Sequence, residues 1–473
     1  YLDNESAMVI ENIFEGLVRY ADDSTRIEPA LAESWDTSPD GRTWTFHLRP
    51  DVRFSDGAPC DAEAAAFSFQ RRIDPAHPFY REEFARMDSS LKNIARVEAV
   101  SPRTLRITLK EPYAPLLSTL ATHSSYLVSP AAVRAWGDGF DKHPVGAGPF
   151  IFSSWSPGER IEVAANPDYY RGRPHLDRVV FKVTPDIKVR LLELKSGAIQ
   201  VMDGVGPADR DEILKNPRLA LDAKPGLNVG YLAMNMLHPP FDKLEVRRAV
   251  NHAINRENLV KLLYRGMAVV AKNPIPPSMW VYNDAVEDYA YNPAEARALL
   301  RKAGFPDGFS TTLWAMPVSR PYMPEPDRIA RAIQANLAAV GIKAAIVTHE
   351  WKDYLARAYA GEHDMCLLGW VGAGDPDNFF SNLFAADRAV PPHASNIAFF
   401  TDPAAQDLIS RAQREPDQAR RAELYRKLQV VIHDQAPWTP LAHAFQAMAR
   451  ERTVSGVVHH PTGVVRFARA DMP

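Results

Sequence analysis

Hydrophobic and polar positions along the chain change period around its midpoint. In the N-terminal third, Thr43-Trp44-Thr45-Phe46-His47-Leu48 alternates after the turn Pro39-Asp40-Gly41, and Leu105-Arg106-Ile107-Thr108-Leu109 alternates in the same way. A period of two puts every second side chain on one face, so both runs predict half-buried strands. Between them, Asp61 to Arg72 predicts a helix with Asp61 as N-cap and Glu63 in its first turn. From Leu244 to Tyr264, Val246, Val250 and Ile254 recur every four residues, a helical spacing. Asn292-Pro293 predicts a capped helix start and Gly304 its stop. Ile329, Ile333, Leu337 and Val340 mark one face of another helix, closed by Gly341 and followed by a strand over Lys343–Thr348. Leu424, Leu428, Val431 and Ile432 mark a long helix ending before Pro437. Strands and helices alternate from about residue 225 to 440, the pattern of an α/β lobe.

Composition narrows the function classes. A chain of 473 residues suggests several domains or one multi-lobed body. Its 55 Lys and Arg against 58 Asp and Glu leave a net charge of −3, so no basic stripe for nucleic acid and no polybasic membrane patch is implied. The 39 prolines are spread along the chain, which fits rigid turns better than disorder. No run approaches the ~18 apolar residues of a membrane span. Tyr1 opens the chain without an initiator Met, which raises the expectation of a removed leader. Cys60 and Cys366 are too few for a disulfide framework. Cys366 lies in the apolar run Met365–Leu368 and predicts a buried strand residue.

The chemistry-bearing motifs are mostly missing. There is no phosphate loop, no GxSxG elbow and no HExxH pair. Gly146-Ala147-Gly148 runs into Pro149 and reads as a turn. His459-His460 is the only adjacent histidine pair, and neighbours on an extended chain face opposite ways. Asp375-Pro376-Asp377 reads as a rigid polar turn before it reads as a catalytic carboxylate pair. No cofactor or metal is expected, and the chain is expected not to be an enzyme. A peptidase is the rival class, and no nucleophile–base or metal motif supports it.

One set of segments is more specific. Pro29-Ala30-Leu31-Ala32-Glu33-Ser34-Trp35, then Asp40 to Arg49, Phe54-Ser55-Asp56-Gly57, Ala66-Phe67-Ser68-Phe69, Pro144 to Phe150 and Asn166-Pro167-Asp168-Tyr169-Tyr170 occur in order. Lys272 to Trp280, Trp314 to Tyr322 and Gly374-Asp375-Pro376-Asp377-Asn378-Phe379-Phe380 follow. Together they resemble the extracytoplasmic solute-binding proteins of bacterial ABC importers, in the peptide/nickel/opine-binding family and nearest its dipeptide-binding group. The resemblance implies a three-lobed periplasmic-binding-protein fold: two α/β lobes close over a ligand cleft, and an extra α+β lobe packs on the first. It divides the chain into a discontinuous first lobe (1–21, 148–238 and 441–473), an extra lobe (22–147) and a third lobe (239–440) carrying the ligand anchors. It implies a short peptide or peptide-like carboxylate as ligand, a permease and its ATPases as partners, a monomer, and a periplasmic or lipid-anchored location. Nickel-chelate and haem-binding relatives share the fold, but clustered His or Met is not seen here.

The resemblance also places the site. Arg320 would pair with a ligand carboxylate, which a guanidinium matches as a planar two-pronged fork. Tyr322, Trp314 and Trp370 would supply pocket walls, with Gly372, Asp375, Asp377 and Phe379 on the neighbouring segment. One departure stands out. The relatives carry an aspartate between the Gly-Trp and Gly-Asp-Pro-Asp-Asn motifs that pairs with a peptide's amino terminus. Here Gly369-Trp370-Val371-Gly372-Ala373-Gly374-Asp375 is one residue short, with no acid between Trp370 and Asp375. Three expectations follow, in order. Asp375 fills the gap and ordinary di- or tripeptides bind; or another group meets the amine of a modified peptide such as glutathione; or the ligand is a carboxylate without a peptide amine.

Overall fold

A single long strand, Trp438–Glu451, runs through two of the three lobes. The computed structural model describes residues 4–82 and 91–473. The first half of this strand pairs antiparallel with Asn228–Met234 and Ala268–Val270. Its second half, from Phe445 on, pairs with Leu219–Pro225 and Val201–Asp203. Nearly every position between Trp438 and Arg450 is buried or half-buried, as a strand covered on both faces requires.

The third lobe is built on the first half. Asn228–Met234, buried at all seven positions, pairs with Met365–Val371. That strand lies parallel to Phe309–Trp314, which lies parallel to Ile342–Val347. Helices 244–253, 256–263, 293–302, 326–338 and 418–435 are among those accompanying the sheet. Their apolar stripes enter one large core with Tyr231, Tyr264, Phe380 and Tyr425. The periodic run from Leu244 to Tyr264 folds as two helices, because Asn255 caps a second start by accepting from the Asn258 amide. Asn292 and Asp61 cap helices as their side chains dictate.

The extra lobe is a four-stranded antiparallel sheet, in the order Ala32–Thr37, Thr43–Leu48, Thr104–Leu109, Ile94–Ser101. Helix Ala62–Ile73 packs on it, and its core takes in Leu17, Val18 and Tyr20, ahead of the division at 22. The first lobe joins helix Asn4–Ile13, strands Phe150–Ser156, Arg160–Ala165 and Arg178–Lys182, and the C-terminal residues Val465, Phe467 and Ala470 around one apolar cluster. Gly146 and Gly148 form a turn lying directly on the Ile13 carbonyl, where a Cβ would collide with backbone.

Strand pairing puts the crossings between first and third lobes at Gly226–Leu227 and at Ala444–Phe445. Residues 228–238 and 441–444, assigned to the first lobe from sequence, therefore lie with the third. Asn235 and Met236 donate backbone hydrogen bonds to Asp364 and Ala398 of that lobe. The two crossings are pinned to each other. The Asn228 side chain donates to the Ala444 carbonyl and accepts from the Ala444 amide, at 2.8 and 2.9 Å.

Candidate functional site

Between the lobes lies an open cleft of about 3420 Å³. Its third-lobe wall includes two segments that carry the candidate residues, 319–325 and 370–378, with further lining from 381–388 and 406–414.

The first segment is a tight turn. Arg320 and Met323 exchange backbone hydrogen bonds of 3.1 and 2.8 Å. Tyr264 fixes the turn from below, its hydroxyl donating to the Tyr322 carbonyl at 2.8 Å. The Tyr322 ring lies flat against Gly369, where any side chain would overlap it, and the Tyr322 carbonyl sits over Gly230. Tyr322 is thus an anchor in the core, 7% exposed. Arg320 is carried on the opposite side and lines the cleft. Its guanidinium lies 4.9 Å from the Trp351 ring centre. It pairs with no carboxylate among the described residues; the acid nearest in sequence, Glu325, is bound by Arg328 at 2.6 Å. No interlobe salt bridge of Arg320 is formed among the described residues.

Trp314 does not reach the cleft. It is buried among His349, Tyr354 and His363, and the Tyr354 hydroxyl bonds to its carbonyl. Trp370 does line the cleft, with its indole nitrogen donating to Asn378 Oδ1 at 2.9 Å. The same oxygen accepts from the Ala373 amide at 3.0 Å, so Asn378 clamps the shortened segment. Gly372 donates its amide to Leu227 at the crossing, and the ring of the fully buried Phe379 occupies the space a Cβ would need there. Gly374 donates to the Tyr20 hydroxyl of the extra lobe at 3.1 Å. The short segment therefore touches the crossing at Leu227 and the extra lobe.

Asp375 is taken up internally. Its two oxygens receive Arg421 Nη1 and Nη2 at 2.7 and 2.6 Å. Arg421 also donates to the Ala412 carbonyl and the Tyr425 hydroxyl. Burial alone would depress the arginine, but the adjacent Asp375 more than offsets it and holds its pKa above the usual value. Asp377 faces the extra lobe, where the Tyr113 hydroxyl donates to Oδ2 at 2.9 Å. Its Oδ1 is buried without a hydrogen bond. Burial, then the charge of Asp375, raise its pKa to about 6, against the pull of Arg421.

The structure thus gathers Arg320, Trp370, Gly372, Asp375 and Asp377 on the cleft wall and places Trp314, Tyr322 and Phe379 behind it. Sequence reasoning missed Arg421, Tyr113, Asn378 and Trp351. Arg421 carried a signal: it shares a helical face with Leu424, Leu428 and Ile432, and an arginine on an apolar stripe needs a buried acid. Tyr113 carried none, because its partner lies 264 positions away.

Among the described residues no group of His, Cys, Asp and Glu could hold a metal ion, and no helix is long and apolar enough to cross a membrane.

Comparison with known proteins agrees with this architecture. The chain is 39% identical over 473 residues to the dipeptide-binding protein of Escherichia coli (strain K12), covering 96% of this chain and 88% of that one. It is 38% identical over 475 residues to di/tripeptide-binding protein 1 of Pseudomonas aeruginosa (strain UCBPP-PA14), covering 97% and 88%. Among solved structures, the periplasmic binding protein DppA from Helicobacter pylori in complex with the peptide STSA superposes with a TM-score of 0.87 at 35% identity, covering 100% of this chain and 94% of that one. Residues 26–390 match the model of the bacterial extracellular solute-binding proteins, family 5 Middle. Lobes, crossings and sequence lead to the same assignment: the chain belongs to the family 5 bacterial extracellular solute-binding proteins.

Proposed function

We propose that this protein is the solute-binding subunit of an ABC importer, capturing a short peptide or peptide-like carboxylate between its first and third lobes outside the cytoplasmic membrane and delivering it to a permease. The observation that carries the ligand class is Arg320. A half-buried guanidinium on a braced turn, facing a cleft and paired with no acid among the described residues, is suited to receive a carboxylate. The relatives named for peptides support the same class. The two pinned crossings supply a hinge for closure on the ligand. Binding without turnover is the expected behaviour, so peptides incubated with the protein should come back intact.

The test is calorimetric titration with a di- and tripeptide panel, each compared with its C-terminal amide. A charge-assisted hydrogen bond contributes roughly 1.5–3 kcal/mol. Arg320→Ala should therefore weaken free-acid ligands about tenfold to a hundredfold and leave amides nearly unchanged. Equal affinity of acid and amide for the unaltered protein would remove the reading.

A second reading concerns the other end of the ligand. Both oxygens of Asp375 are engaged by Arg421, and 371–374 contain no acid. This favours a modified peptide, or a carboxylate lacking a free α-amine, over an ordinary dipeptide. Titration with N-acetylated dipeptides separates the two. Binding at least as tight as that of the free dipeptide supports the second reading, and a large loss returns the ligand to ordinary peptides.

A further inference from the structure

We infer that Trp351 is the positioning residue for the carboxylate anchor, which builds on the reading of Arg320 given above. Arg320 lines the cleft and Trp351 does not. The indole therefore stands behind the guanidinium, 4.9 Å away. A guanidinium stacked on an aromatic face is held by the ring's quadrupole and loses water from that side, while its N–H edge stays free to meet a planar anion.

The indole is itself held in register. It opens helix Trp351–Tyr359, whose start is capped by Glu350 accepting from the Lys352 amide. Three residues on, the same helix is fixed by Tyr354, whose hydroxyl bonds to the Trp314 and Leu367 carbonyls at 3.1 and 2.6 Å. Trp351 stacks on Tyr354 at 5.9 Å and 18°. A rigid line thus runs from strand carbonyls through Tyr354 to the indole and on to the guanidinium. The backbone of Arg320 is set separately, by Tyr264 and by the slot at Gly369. Turn and indole together fix both ends of a side chain that would otherwise sample many rotamers. Trp351 thereby sets how strongly the cleft prefers a free carboxylate.

The test compares Trp351→Leu, which keeps apolar bulk without a π face, and Trp351→Phe, which keeps a face, with the unaltered protein and Arg320→Ala. Each is titrated with one dipeptide and, by displacement, with its C-terminal amide; thermal melting confirms folding. We expect Trp351→Leu to weaken the free acid roughly 3- to 30-fold with little change for the amide, and Trp351→Phe to restore most of the acid preference. A Leu variant that binds the acid as tightly as the unaltered protein overturns the inference. So does a variant that loses acid and amide equally, which would make Trp351 a packing residue. If Arg320→Ala abolishes the acid preference while Trp351→Leu does not, only the role of Trp351 fails. If Arg320→Ala leaves the preference intact, the reading of Arg320 itself fails.

Discussion

Replacing Asp375 by Asn separates a structural acid from a ligand-binding one. The carboxylate and Arg421 form a two-pronged pair with side chains 13% and 7% exposed. Stripping one partner from a buried pair costs about 3–5 kcal/mol, because the other charge is left without compensation. Two features reduce this. Arg421 keeps its bonds to the Ala412 carbonyl and Tyr425 hydroxyl. Asp377, already ionised at that pH, is relieved of the repulsion of Asp375 and remains as a counter-charge to the same arginine. We therefore expect a loss of about 2–4 kcal/mol for Asp375→Asn, read by urea unfolding at pH 7.5. Ligand affinity, measured on the folded variant at low temperature, should change by less than threefold. Pairing Asp375→Leu with Arg421→Met should recover most of the stability, since a well-packed apolar pair often equals a buried ion pair. A variant that loses less than about 1 kcal/mol yet no longer binds ligand would refute the argument and make Asp375 an amine anchor.

Other outcomes are checked more simply. Asp377 titrates near 6 in the folded protein, above the ordinary aspartate value. The native state then binds more protons between those values, so stability falls as pH rises from about 4 to 6. Asp377→Asn should remove that slope and raise stability at pH 7 by roughly 1–3 kcal/mol, as pH-dependent denaturation would show. Gly369→Ala would push a methyl into the Tyr322 ring; overpacking of this kind costs about 1–3 kcal/mol, and displacement of the Arg320 turn should weaken free-acid ligands in the same titrations. Burial pushes the Cys366 thiol up to about 12 and raises Cys60 as well, so neither should react with a thiol reagent at pH 8 until denaturant is added.

Local rules made much of the fold legible. Asp61, Asn292 and Gly341 marked helix ends because capping and left-handed turns are decided by a few neighbouring residues. The lobe crossings were less legible. Asn228–Met234 reads as apolar whichever sheet it joins, and only its pairing with Met365–Val371 assigns it. Within the site, the motif around Arg320 pointed to a segment that lines the cleft but did not distinguish a side chain facing the cleft from one holding the turn beneath it. Tyr322 and Trp314 are aromatic in either role. Their placement depends on Gly369, Gly230 and Tyr354, which approach from distant parts of the chain.

The strand Trp438–Glu451 also governs when the protein can fold. It follows in sequence every other strand it pairs with, and it joins the strands of two lobes into one eight-stranded sheet. A nascent chain that has not reached this segment leaves Asn228–Met234 and Leu219–Pro225 with open edges, and the third-lobe core and the first-lobe clusters lack the residues it contributes. The extra lobe, whose strands all precede residue 110, can form early. The other two must wait and then complete together. The strand pairing therefore makes folding of these two lobes depend on the last part of the chain to be synthesised.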